Sequence, residues 1–274
     1  MMLNDWIQTN LNQRITNKRI NFKVGLNPYK MTKPWSFYGA ALFTANLLAN
    51  TNDRIFIAYS GGLDSQFVVN MFHENKIPFT PILVKTTGNE QELQYAFDHC
   101  KYLNVEPTVL TLSNEEHISL WYNMVFKTHG LKGMYTSPSL KAALFADEQG
   151  GVLVEGCGEP ISSVYTNFEP TLYVNEFDFA VNIAEGLTKK HPGSFFMYTQ
   201  ELFYSYMIEV NRNLEFQQAK ATLYQLKTRD KIRPKYDRVF EAKLKQIEKL
   251  SEAGCTYRIN QQEWLEILEN HCVI

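Results

Sequence analysis

The sequence predicts an α/β protein, a parallel sheet with helices on both faces, joined to a mostly helical C-terminal region. Three observations predict it. Between residues 51 and 160, short apolar runs alternate with amphipathic stretches, the pattern of strand–helix–strand crossovers. The first apolar run, Arg54 to Tyr59, ends in the turn Ser60-Gly61-Gly62-Leu63-Asp64-Ser65. Beyond 160 the strand-like runs give way to aromatic-rich segments at helical spacing. Three regions follow: an N-terminal arm and helix (1–50), an α/β domain (51–160) and a mostly helical region (161–274) packed on it and completing the substrate site.

Residues 1–35 are polar and irregular, punctuated by Gly25, Pro28 and Pro34, and read as an arm. Residues 36–50 carry apolar side chains at helical spacing. The first strand is expected over Ile55–Tyr59 and a helix from about Asp64 to Glu74, with Leu63, Phe67, Val68, Met71 and Phe72 on one face. Asn75 and Pro78 end it. Phe79–Lys85 reads as a second strand. The next helix opens at Asn89 with Glu92 three residues on, the spacing of a capping box. Glu106–Leu112 reads as a third strand, with Ser113 and Glu116 as a second capping box. Gly151–Glu155 reads as a fourth strand, stopping at Gly156-Cys157-Gly158. Long helices are expected over 196–227, 236–252 and 261–270; the aromatic cluster Phe195–Tyr206 reads first as core, with stacking on a planar substrate as the other reading.

Composition narrows the class. Hydrophobic residues make up 45% and charged residues 20%, with a net charge of −2. No global basic field recruits nucleic acid. No apolar run reaches the ~20 residues that span a bilayer, and Met1 to Trp6 lacks a signal-peptide pattern. The four cysteines, Cys100, Cys157, Cys255 and Cys272, form no Cys-x-x-Cys pair. A disulfide framework and a structural zinc site are therefore not expected. The six histidines show no metal spacing. These features predict a cytoplasmic, reduced protein that does not engage membranes; oligomeric state stays open, with the aromatic-rich helices as a candidate interface.

The turn after the first strand carries the chemistry. It aims backbone N–H groups and two hydroxyls at one spot, at the positive end of a helix dipole, where an anion such as a phosphate or pyrophosphate belongs. A parallel sheet binds ligands beyond the carboxyl ends of its strands, and Gly156 to Gly158 would form a second glycine turn at that edge. The loop lacks the Gly-Lys-Ser/Thr of a P-loop and the G-x-G-x-x-G of a dinucleotide fold.

Ser-Gly-Gly-Leu-Asp-Ser after a hydrophobic strand resembles the pyrophosphate (PP) loop of the N-type ATP pyrophosphatases. That superfamily includes asparagine, argininosuccinate, GMP and NAD synthetases, tRNA-lysidine synthase and 7-cyano-7-deazaguanine synthase. The resemblance covers about residues 54–160 and is closest in pattern to the synthetase domain of asparagine synthetase. It implies a fold of the adenine nucleotide alpha hydrolase type, with ATP and Mg²⁺ as cofactors. The implied reaction is adenylation: ATP yields AMP and pyrophosphate as a carboxylate or amide oxygen is activated for attack by an amine or ammonia.

The resemblance also implies residue roles. Ser60, Gly61, Gly62, Leu63 and Ser65 would grip the phosphates. Asp64 would face Mg²⁺ as a catalytic loop carboxylate outside the core. Ala58 and Tyr59 would flank adenine, and Val84 would touch it through its backbone. Gly156 belongs to the fourth-strand turn. The family places an acidic pair after those glycines, where this chain has Glu159 and Pro160; Glu159 is the candidate second metal-facing carboxylate. Lys85 follows the second strand and reaches a phosphate in one reading, while in the other it is a solvated strand-end lysine.

The segment Lys227 to Lys235 holds five cations in nine residues. Lys227, Lys231 and Arg233 would line the pocket as the basic C-terminal segment of asparagine synthetases does. A tRNA patch and a solvated helix end are the other readings. Glu155, at the end of the fourth strand, either contacts substrate or metal or is simply a strand-end carboxylate. The position of the glutaminase cysteine of asparagine synthetase is Met2 here, so nitrogen is expected from free ammonia, another amine or a separate subunit. Two alternatives stand beside the amide-forming enzyme. One is a tRNA-base or 7-deazaguanine-type modification enzyme, less favoured by the acidic balance; the other is a non-catalytic adenine-nucleotide-binding module.

Overall fold

Four short strands form one wholly parallel sheet in the order β3-β2-β1-β4. They are β1 (Ile55–Ala58), β2 (Thr80–Lys85), β3 (Thr108–Thr111) and β4 (Val152–Glu155). The computed structural model describes residues 22–23, 35–127, 137–157, 171–172, 194–210, 213–228, 238 and 240–242. The expected helices over 236–252 and 261–270 lie almost wholly outside these residues, and so does most of the 1–35 arm. Within the arm, Phe22–Lys23 pairs antiparallel with Thr171–Leu172.

Register aligns Ala58 with Ile82 on one side and with Glu155 on the other. Ser194 then pairs in parallel fashion with Glu155, so the chain re-enters the sheet outside β4. The path runs outward from β1 through β2 to β3, then returns to β4 on the opposite flank of β1. That reversal is a topological switch point, lying beyond the carboxyl ends of β1 and β4.

Side-chain alternation explains why both faces are covered. Ile55, Ile57, Leu83, Val152 and Val154 join one hydrophobic cluster with α1 (Phe37–Thr51), α2 (Leu63–Glu74) and the C-terminal helices. Phe56 points the other way and meets Phe145 of α5 (Ser137–Glu148) edge-to-face, with ring centroids 5.8 Å apart. Ile82, Val84 and Leu153 are also buried. Two further helices complete the crossovers, α3 (Glu90–Leu103) and α4 (Asn114–Lys127). The expected class, a parallel sheet with helices on both faces, is the observed one.

Helix α1 is made by its spacing. Phe37, Ala40, Ala41, Thr44, Ala45 and Leu48 are its buried residues, a single stripe at three- and four-residue intervals. Ser36 caps it, its Oγ accepting from Gly39 N at 3.2 Å.

The expected helix over 196–227 is instead three helices: α6 (Phe195–Tyr198), α7 (Gln200–Glu209) and α8 (Phe216–Leu223). The breaks follow from capping. Thr199 is extended and its hydroxyl accepts from Leu202 N, starting α7. Glu215 starts α8 by accepting from Gln217 N and Gln218 N. After α8, Gln225 turns left-handed at φ 56°, and Leu226 N returns to Ala221 O, a Schellman closure. Side-chain polarity at Thr199 and Glu215 thus overrides a continuous helical pattern. The aromatic cluster is core, as expected: Phe195, Phe196, Phe203 and Tyr206 are fully buried.

The capping box expected at Asn89 is also replaced. Its Oδ1 accepts from Thr86 N and its Nδ2 donates to Val84 O, both at 2.9 Å. Asn89 therefore pins the end of β2 rather than the helix, the competing use of an Asn side chain. At the second box, Ser113 Oγ does accept from Glu116 N at 3.2 Å, while the Glu116 carboxylate pairs with Lys141 of α5. No helix among the described residues is long and apolar enough to cross a membrane.

Candidate functional site

The loop between β1 and α2 lies at the switch point. Gly61 has φ +87°, and a Cβ there would sit 2.4 Å from Glu92 O, so only glycine turns the chain this close to α3. Gly62 is the N-cap of α2 and brings no side-chain cap. By helix geometry the N–H groups of Leu63, Asp64 and Ser65 have no intrahelical acceptor. The Ser60 and Ser65 hydroxyls meet at 3.2 Å; Ser60 Oγ also accepts from Gly62 N, and Ser65 Oγ donates to Gly62 O. Donors, two hydroxyls and a helix start converge, an arrangement suited to an anion.

The turn after β4 presses on the same helix start. A Cβ on Gly156 would lie 2.6 Å from both N and Cα of Ser65 and 2.8 Å from Asp64 C. The two glycine turns expected to face one pocket are in direct backbone contact. Next to Gly156, the Cys157 thiol lies 3.1 Å from Ser194 Oγ, and Ser194 Oγ donates to Cys157 O. Glu155 is buried at the strand end.

The remaining expected residues divide. Ala58 is half-buried at the end of β1. Tyr59 N donates to Ile82 O at 2.9 Å, but its ring is buried and its hydroxyl lies 2.7 Å from His99 Nδ1. Only the Tyr59 backbone is thus left at the strand edge. The Val84 carbonyl already accepts the Asn89 amide. Lys85 is exposed at the end of β2 and Lys227 is exposed beyond α8. Glu159, Lys231 and Arg233 lie outside the described residues.

Asp64 has partners the sequence did not announce. Its Oδ2 accepts from Lys220 Nζ at 2.6 Å and its Oδ1 from Tyr224 OH at 2.8 Å, both groups arriving from the end of α8. The Lys220 side chain is 3% exposed, against 23% for Asp64, and its ammonium lies 4.9 Å from the Phe216 ring centroid. The Tyr224 ring stacks on Phe67 at 4.7 Å and on Phe196 at 5.6 Å. Asp64 is therefore a fold-bearing anion as well as a loop residue, contrary to the expectation that it stands apart from the core. A buried ammonium without a carboxylate is too costly to keep.

This arrangement does not fit a magnesium ion on Asp64. Both carboxylate oxygens are engaged, one by a cation that would repel the dication. Among the described residues, no three His, Cys, Asp or Glu side chains form a group able to hold a metal.

One sequence signal could have exposed Lys220. Phe216, Lys220 and Tyr224 recur at four-residue intervals, with Lys220 between Ala219 and Ala221, which places a lysine on the apolar stripe of an amphipathic helix. A lysine in that position calls for a buried carboxylate.

Fold and loop together define an open parallel α/β protein with an anion-suited loop at its switch point. Among the solved structures that resemble the chain are two synthetases. NMN synthetase from Francisella tularensis is 11% identical, with a TM-score of 0.36, over 82% of this chain and 98% of that one. The NH3-dependent NAD synthetase from Campylobacter jejuni subsp. jejuni NCTC 11168, in complex with the nitrate ion, is 14% identical, with a TM-score of 0.34, over 86% and 93%. No protein-family model matches the sequence, and no curated protein matches it.

Proposed function

We propose that this chain is an ATP-dependent adenylating enzyme of the amide-ligase kind, asparagine-synthetase-like in its chemistry. One observation carries the reading: the Ser60–Ser65 loop opens α2 at the switch point, with the Gly156 turn pressed against its first residues. A single phosphate needs one such helix start; the two converging hydroxyls and the second glycine turn suit the longer pyrophosphate unit.

In this reading an oxygen of a carboxylate or amide substrate attacks the α-phosphorus of ATP. The bond to the β-bridging oxygen breaks, and pyrophosphate leaves with the electron pair. An amine or ammonia nitrogen then attacks the activated carbon and AMP departs. The chain's part is to hold the leaving pyrophosphate. N–H groups of Leu63, Asp64 and Ser65, with the hydroxyls of Ser60 and Ser65, meet charge that grows as the bond breaks. Their positions are set before reaction by the turn at Gly61 and the contact at Gly156, so little reorganisation is needed.

Adenine belongs against the edge formed by Ala58, the Tyr59 backbone and Val84, at the ends of β1 and β2. Magnesium accompanying ATP would be held by the nucleotide's own phosphates and by water, which is how that ion usually binds beside phosphates. The test is pyrophosphate release from ATP with a panel of carboxylates and amines, together with ATP–pyrophosphate exchange. Absence of both, with no measurable ATP or pyrophosphate binding, would sink the reading.

A further inference from the structure

We propose that Asp64 serves in this chain as the counter-ion of an internal ammonium rather than as a magnesium ligand, so that Lys220 supplies the fixed positive charge beside the Ser60–Ser65 loop. The proposal rests on the reading of that loop as a phosphate site and deepens it.

Four facts converge. Lys220 is buried, so its charge must be balanced inside the fold. Its ammonium sits 2.6 Å from one Asp64 oxygen, and the Tyr224 hydroxyl sits 2.8 Å from the other. Tyr224 cannot swing aside, because its ring is stacked with Phe37, Phe67 and Phe196. Lys220 and Tyr224 lie one turn apart at the end of α8, whose closing turn is fixed by Leu226 N on Ala221 O. The carboxylate is thus committed from two directions by one rigid element.

A dication bound to Asp64 would need a contact of about 2.1 Å to an oxygen. On Oδ2 it would meet the ammonium, a like charge in a largely dry setting. On Oδ1 it would have to share the oxygen with a hydroxyl locked by ring packing, with the ammonium still on the other oxygen of the same carboxylate. The ammonium is the better partner for geometric reasons, and it needs no metal from solution. Asp64 and Tyr224 then act as positioning residues, holding Lys220 where its field reaches the start of α2. The C-terminal helices contribute charge as well as packing to the loop.

The experiment uses Mn²⁺ as a paramagnetic probe of the nucleotide-free full chain, read by electron paramagnetic resonance. Wild type and Lys220→Arg are expected to show no site that depends on Asp64. Lys220→Met, with the charge removed and the stem kept, should gain a Mn²⁺ site at least about tenfold tighter than wild type, a difference of roughly 1.4 kcal/mol. Adding Asp64→Asn should remove it. A Mn²⁺ site in wild type that Asp64→Asn abolishes would overturn the proposal, and so would a folded Lys220→Met that gains none. Should Lys220→Met fail to fold, the comparison of wild type, Lys220→Arg and Asp64→Asn still decides it.

Pyrophosphate binding by calorimetry forms the second arm. Wild type is expected to bind it in EDTA, and Lys220→Met about tenfold or more weakly. Binding that requires added Mg²⁺ and is equal in both proteins would overturn the proposal. If wild type binds no pyrophosphate with or without Mg²⁺, the phosphate reading of the loop falls, while the Mn²⁺ arm still decides the role of Asp64.

Discussion

The ammonium of Lys220 lies 2.6 Å from Oδ2 of Asp64, across 156 positions of sequence. This contact ties the first turn of α2 to the end of α8 and makes the loop part of the same folding unit as the C-terminal helices. The hydrophobic cluster tells the same story: Phe37, Phe67, Phe196, Tyr206 and Tyr224 pack together on one face of the sheet.

Removing the carboxylate should therefore unfold the protein more readily. Asp64→Ala takes the carboxylate away from a buried ammonium, and breaking such a pair typically costs about 3–5 kcal/mol. Urea denaturation should show a loss toward the lower end of that range, since Asp64 is partly exposed. A variant as stable as wild type would mean that Lys220 finds solvent in the folded state.

The Tyr224 hydroxyl can be separated from its ring. Tyr224→Phe keeps the stacking and should cost about 1.5–3 kcal/mol, the range for a hydrogen bond to a charged acceptor. Tyr224→Leu also loses the ring contacts with Phe67 and Phe196 and should cost more. Equal stabilities for the two variants would show that the stack contributes nothing beyond the hydroxyl.

At the second glycine turn, Gly156→Ala places a methyl 2.6 Å from the Ser65 backbone. Relief requires the β4 turn or the start of α2 to move, at about 1–3 kcal/mol. Pyrophosphate affinity should fall at least roughly tenfold as the N–H groups lose their alignment. A calorimetric titration that matches wild type would separate the turn from the anion site.

Ser60→Ala tests the loop with little risk to the fold, because Ser60 is exposed. It removes the oxygen that meets both Gly62 N and Ser65 Oγ. Thermal stability should stay nearly constant while pyrophosphate binding weakens. An unaltered dissociation constant would place the anion elsewhere.

The buried thiol of Cys100 gives a pH signature. Burial pushes it up from 9.0 to about 11, so the native chain keeps a proton that the unfolded chain loses. The unfolded state binds fewer protons between about pH 9 and 11, and stability should fall as pH rises through that window. Below pH 9 this contribution is constant. A native thiol that reacts with a disulfide reagent at pH 8 as fast as in denaturant would contradict the burial of this residue.

Much of the sheet was legible because its signals are local. Apolar runs at Ile55, Thr80 and Val152 are bounded by polar or glycine turns, and each strand fell within a residue or two of expectation. The loop was legible for the same reason, its glycines, hydroxyls and acid being contiguous. Caps were harder. Asn89 had two competing backbone partners, and Thr199 and Glu215 broke a helix whose apolar spacing is continuous. Lys220 is hard to read because the denser cations at 227–235 dominate the charge pattern of this region, whereas a charge buried in isolation leaves only a faint mark in a helical pattern.

By itself the sequence determined the alternation that makes a parallel α/β sheet, and the glycine loop that opens its second helix. Both follow from short-range periodicity and backbone sterics, which need no knowledge of distant residues. Tertiary structure alone decided that β4 lies on the far side of β1, that Gly156 touches Ser65, and that Asp64 is paired with Lys220 and Tyr224. Those contacts depend on how helices settle over a closed core, where burial forces each charge to find a partner the linear order does not name.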